Sequence, residues 1–210
     1  MTDEYITISK AASKEIIINK SRFIGYASPC PTESDALLYI KKIREEHRSA
    51  THNCYAYIIG QNSGIIRYSD DGEPGGTAGL PILDVIRSRR IVNCCVVIVR
   101  YFGGTLLGTG GLVRAYTQGC KIALEAAQIV RMEKTAHYLC DIPYSFWDSV
   151  RHAAESLPVR ILDPEFGASV TFTLAVRIRD AAEALEAMAR VTSRKMEAVP
   201  AEESFEPWEI

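Results

Sequence analysis

Apolar and polar positions along this chain fall into recurring patterns, and each pattern predicts an element. Residues 15–19 (EIIIN) and 21–28 (SRFIGYAS) are rich in β-branched and aromatic side chains and predict strands, stopped by Pro29 and Pro31. Thr32 then predicts a helix to about His47, with Asp35 at the capping-box position. Ala36, Ile40 and Ile43 form its inward stripe, with Leu37 beside them. Residues 53–59 (NCYAYII) and 65–69 (IIRYS), separated by GQNSG, predict a hairpin. Pro81 suits the first turn of a helix to about Arg89, where its missing N–H is harmless. Residues 92–99 run almost continuously apolar, the pattern of a strand covered on both faces. A long helix is predicted over residues 112–128, with Ala115, Gly119, Ile122 and Ala126 on one face.

The second half carries its own complete pattern. Strands are predicted at residues 136–142, 159–162, 169–178 and 195–199, with a helix over 146–157 and another from an Asp180 cap to about Val191. The order βαββαβ is the ferredoxin-like signature. The expectation is therefore an α+β protein of two domains, residues 1–130 and 134–205, joined near residues 130–134.

Nine of the fourteen glycines lie between Gly72 and Gly111, in the runs DDGEPGGTAG and RYFGGTLLGTGG. Glycine loses more backbone entropy on folding than any other residue, so such a concentration needs tight turns or close approach to bare backbone. Both runs carry charge and sit between apolar segments. They mark where a functional surface is to be sought.

Composition adds bounds. The 210 residues suffice for a sizeable core, and 47% apolar with 24% charged is ordinary for a globular protein. No apolar run reaches the roughly 18 residues of a membrane-spanning helix. The opening MTDEYITISK lacks a signal peptide's basic and apolar regions, which points to the cytoplasm. Six cysteines show no CxxC pairing and read as small buried hydrophobes. Residues 1–130 hold 15 Lys and Arg against 12 Asp and Glu, whereas residues 131–210 hold 9 against 14. The mildly basic first half permits an anionic partner.

The candidate chemistry narrows by spacing. GTGG precedes a helix, but Gly108, Gly110 and Gly111 do not fit GxGxxG, and no GK[ST] follows. A looser anion site remains, from amides at the helix start with Arg100 and Arg114. Zinc-type ligand spacing is missing, and no metal or cofactor is predicted. No GxSxG is present. Arg48, Arg67, Arg100 and Arg114, interleaved with Tyr101 and Phe102, suit phosphate contact and base stacking. With Gly103, Gly104, Gly108, Gly110 and Gly111 they form the candidate nucleic-acid or anion surface. A second cluster, His47, His52, Asn53, Asp70, Asp71 and Glu73, is the candidate site for a rival reading. In that reading His52, Asp70, Asp71, Glu73 and Arg100 make a small-substrate hydrolase, with metal assistance as an option.

Four motifs carry a family resemblance: SRFIG (21–25), HRSATHNCYAY (47–57), SDDGEPGGTAG (69–79) and VRYFGGTLLGTGGLVRAY (99–116). In fixed order over about residues 15–128, they resemble the IMPACT/YigZ family. The second half is similar to the ferredoxin-like C-terminal domain of the bacterial members. The resemblance implies a first domain of the ribosomal protein S5 domain-2-like fold, the pair resembling domains IV and V of elongation factor G. It also implies a role in translation control. Its eukaryotic members restrain a starvation-responsive initiation-factor kinase by binding that kinase's activator. RNA or the ribosome is the implied partner here, a protein partner in translation control is a further possibility, and no catalysis is required. The proline-dipeptidase label of some relatives finds no five-ligand dinuclear centre in this sequence.

Overall fold

In the computed structural model, which describes residues 3–208, the apolar run after Asn93 becomes the centre of a five-stranded sheet. The chain divides into two units, built on Glu4–Arg131 and Met132–Trp208. Met1 and Thr2 of the expected first domain lie outside the described residues. In order, the first unit holds β1 (Glu4–Ile8), β2 (Ala12–Ile18), β3 (Ser21–Pro29), α1 (Glu33–Glu46), β4 (His52–Ile59), β5 (Ile65–Ser69), α2 (Gly79–Ser88), β6 (Cys94–Tyr101) and α3 (Gly108–Ala126). The sheet order is β2-β3-β6-β4-β5, and every pairing within it is antiparallel.

Alternation along β6 builds two cores. Cys94, Val96 and Ile98 join the cluster that includes Ile82 and Ile86 of α2 and Leu112, Tyr116 and Cys120 of α3. Cys95, Val97 and Val99 join Ala36, Ile40 and Ile43 of α1. A near-continuous apolar strand is thus what a sheet covered on both faces requires. At the start of α1, Thr32 and Asp35 form the reciprocal capping box. Leu37, placed beside the inward stripe, is 53% exposed instead, because it follows Ala36 around the helix onto its solvent face.

Three elements depart from expectation. β1 comes from a polar opening segment and bridges Ile6 to Ile91, with Val92 N–H donating to the Ile6 carbonyl. α3 begins at Gly108, so three glycines of the second run lie inside its first turn. β7 (Ile129–Ile142) begins ahead of the expected residue 136 and runs through residues 130–134.

The second unit continues with α4 (Trp147–Ser156), β8 (Val159–Phe166), β9 (Val170–Arg177), α5 (Ala181–Val191) and β10 (Glu197–Trp208). Its strands run β10-β7-β9-β8, the order of a ferredoxin-like βαββαβ unit. Val150 of α4, Ala184 and Met188 of α5, and Leu174 and Val176 of β9 share its core. The fold is α+β throughout. All six cysteines are buried and unpaired, and no helix among the described residues is long and apolar enough to cross a membrane.

Candidate functional site

Register brings the site together. Arg100, the penultimate residue of β6, is the direct partner of Phe23 on β3 and of His52 on β4. Directly opposed residues share a face, here the one covered by α2 and α3. Arg100 is 5% exposed. Its guanidinium lies between the rings of Phe23 and Phe102, at 5.4 and 5.5 Å.

Glu73 supplies the counter-charge. Its Oε1 accepts from Arg100 Nη1 at 2.7 Å and from the Tyr116 hydroxyl at 2.7 Å. The single S–H of Cys54 is shared between the Asp70 carbonyl at 2.9 Å and the Tyr116 oxygen at 3.4 Å. Burial pushes the Tyr116 phenol and the Cys54 thiol well above their usual ranges, so both remain donors. Glu73 Oε2 points elsewhere, 3.8 Å from His52 Nε2.

The loop that delivers Glu73 is shaped by its two aspartates. The Asp70 carboxylate accepts from the Gly76, Ala78 and Gly79 N–H groups at 2.8, 3.0 and 2.8 Å. It thereby covers the orphan donors where α2 begins, an anion at the positive end of a helix. Asp71 accepts from Asn53 N–H at 2.6 Å and from Arg44 at 2.9 Å, while its carbonyl accepts from His52 Nδ1 at 2.8 Å. Both carboxylates are occupied by the fold. Among the described residues, no three His, Cys, Asp or Glu side chains come together as metal ligands. Of the hydrolase cluster, His52, Glu73 and Arg100 converge; Asp70 and Asp71 do not join them.

The converging side chains floor a cleft of about 430 Å³, walled by Pro74, Phe102, Leu106, Leu107 and Leu112, with Gly108 and Thr109 at its rim. On the other side of the Leu107–Gly111 segment lies a second groove of about 480 Å³. Arg114 and Lys121 line it together with Asn19 and Gln118, and no carboxylate among the described residues does. α3 starts between these two hollows with no acidic residue in its first turn and no side-chain cap.

The remaining expected positions scatter. His47 and Tyr101 face the α1 side, where the imidazole joins the Tyr26 and Tyr101 hydroxyls at 2.7 and 2.9 Å. Arg48 lines a hollow with Arg44 and Tyr55. Arg67 is exposed beside Glu33. The glycines divide by cause. A Cβ on Gly103 would sit 2.0 Å from the Lys20 backbone, whereas one on Gly75 would meet nothing within 4 Å. Lys121 was not among the expected residues, although seven residues after Arg114 it shares the same helical face. Tyr116 closes the fourth motif, and nothing local in the sequence ties it to Glu73.

Residues 19–124 match the Impact N-terminal domain, and residues 140–193 match a domain of unknown function (DUF1949). The chain is 36% identical over 197 residues to the IMPACT family member YvyE of Bacillus subtilis, spanning 93% of this chain and 90% of that one. It is 38% identical to an IMPACT family member of Haemophilus influenzae, over 82% of this chain and 85% of the other. Protein IMPACT of Mus musculus is 33% identical over 94 residues, 42% of this chain and 29% of the mouse protein. A solved structure described as a hypothetical protein superposes with a TM-score of 0.61 at 28% identity, covering 96% of this chain and 99% of that one.

Proposed function

This chain belongs to the IMPACT family, and on that footing we propose that its first unit binds RNA or the ribosome through the surface around the start of α3, in a role associated with translation. One observation carries the reading: a groove lined by Arg114 and Lys121, and by no carboxylate among the described residues, adjoins an uncapped helix start whose backbone is bared at Gly108. Helix N-termini and unpaired cations attract phosphates. Phe102, 46% exposed beside them, offers a ring for a base. Arg100 contributes differently from a surface cation, because Glu73 already neutralises it; its part is to hold the cleft floor and back Phe102.

Filter binding of ribosomes and single-stranded RNA across a salt series tests this. Affinity is expected to fall steeply with salt. Arg114→Ala and Lys121→Ala are each expected to reduce the slope of log K against log salt by about 1. Absence of binding at low salt, or slopes unchanged in both variants, overturns the reading.

A further inference from the structure

The floor of the cleft sets a carboxylate oxygen, Glu73 Oε2, opposite an imidazole nitrogen, His52 Nε2, and no hydrogen bond joins them. Glu73 Oε1 is saturated by Arg100 and Tyr116, but Glu73 Oε2 receives no hydrogen bond among the described residues. His52 Nδ1 bonds a carbonyl, which only accepts, so Nδ1 carries a proton, and a guest that donates to Nε2 selects the ring form with its lone pair there. That lone pair and Oε2 are 3.8 Å apart. Glu73 is 7% exposed as a residue, and its side chain only 3%. Oε2 is thus the acceptor that Glu73 leaves open to the cleft, and a ligand that donates to it gains a hydrogen bond to a charged group.

Electrostatics selects the donor. An anion would meet a carboxylate oxygen and a lone pair, and is repelled. A cation would enter beside Arg100, whose charge Glu73 already balances, leaving an uncompensated positive charge in a poorly solvated cleft. A neutral group with two adjacent N–H donors satisfies both atoms. The walls of proline, leucine and half-exposed phenylalanine ask for a flat apolar body behind that edge.

We propose that the cleft is a nucleobase pocket for guanine. Its N1–H and N2–H groups donate to Glu73 Oε2 and His52 Nε2, and its phosphate lies toward the start of α3. Adenine and cytosine each offer a single amino donor beside an acceptor, and uracil offers one N–H between two carbonyls. For the source of the base, RNA, the inference rests on the reading above; a free guanine nucleotide presents the same edge. Single-stranded RNA is the form in which bases are splayed out for such reading.

The test compares uridine hexamers carrying one central guanosine, inosine or adenosine, and in parallel GMP against IMP, by fluorescence anisotropy and calorimetry. Inosine differs from guanosine only by the missing N2 amine. Guanosine is expected to bind roughly tenfold or more tightly than inosine, the loss expected for leaving one buried acceptor unpaired. His52→Ala is expected to bring guanosine down to the inosine level while leaving the inosine hexamer unchanged. Hexamers that bind equally, together with GMP binding no better than IMP, overturn the pocket and leave the RNA reading standing. The reverse outcome is no hexamer or ribosome binding at low salt with GMP still preferred over IMP. It overturns the RNA reading and supports the pocket as a nucleotide site.

Discussion

Glu73 Oε1 lies 2.7 Å from Arg100 Nη1, with the two side chains only 3% and 6% exposed. One residue comes from the loop before α2 and the other from the end of β6, so their pairing ties the first glycine run to the sheet. Tyr116 of α3 bonds the same oxygen and ties in the third element. The cleft's Glu73 and Arg100 are fixed at this junction, and Phe102 lies against the Arg100 guanidinium.

Breaking the pair one-sidedly should be far worse than removing it. Arg100→Met leaves a buried carboxylate without its cation and is expected to cost about 3–5 kcal/mol in urea unfolding. Glu73→Gln combined with Arg100→Met is expected to restore a good part of that loss. Simply additive losses would show that the two side chains do not act as a unit.

Asp70 holds its loop through three backbone donors. Asp70→Ala is therefore expected to destabilise the first unit by about 2 kcal/mol, in the range of a lost cap with charged hydrogen bonds. Asp84, exposed on α2, is the control. Asp84→Ala should stay within about 0.5 kcal/mol. Equal melting shifts for the two variants would contradict the bracing role.

The glycines make opposite predictions. Gly103→Ala would force a Cβ to 2.0 Å from the Lys20 backbone and is expected to cost more than about 3 kcal/mol or prevent folding. Gly75→Ala meets open space at an ordinary φ and should leave thermal stability within about 1 kcal/mol of wild type. Differential scanning calorimetry of the two variants distinguishes a packing glycine from one whose backbone is merely bare.

Burial raises the phenol of Tyr116, and also those of Tyr5, Tyr26, Tyr39 and Tyr57, above the usual 10.0. The folded chain therefore holds those protons where the unfolded chain releases them. By linkage, the stabilisation is complete below pH 10 and is lost progressively as pH rises through the raised values. The melting temperature should fall steeply above pH 10, together with release of the tyrosinate absorbance at 295 nm, a wavelength characteristic of the ionised phenol. Release of the full tyrosinate absorbance of all ten tyrosines at the ordinary midpoint, before unfolding, would refute this.

Much of the architecture was legible because its causes are local. The Thr32–Asp35 capping box, the alternation of residues 169–178 and the two-sided apolar run of β6 depend on neighbours within a turn or a pleat. Where propensity and context disagreed, local reading failed. GTGG reads as loop because glycine is a poor helix former. The cost is about 1 kcal/mol for each glycine, and packing of Leu112, Ala115 and Tyr116 carries α3 back to Gly108. β10 is largely exposed and contains Pro200 and Pro207, so the pattern predicts only its start, within residues 195–199, and not its run to Trp208.

The site divides along the same line. Sequence alone determined which residue types crowd the two glycine runs, which elements flank them, and the resemblance that their order carries. Only the tertiary structure decided which side chains meet. Registering β4 against β6 set His52 opposite Arg100. Folding the Asp70–Gly79 loop over that edge turned Asp70 and Asp71 inward as braces and sealed Glu73 against Arg100 and Tyr116. Such pairings join residues 27 and 43 positions apart, and burial strengthens them by excluding the water that would otherwise satisfy each group separately.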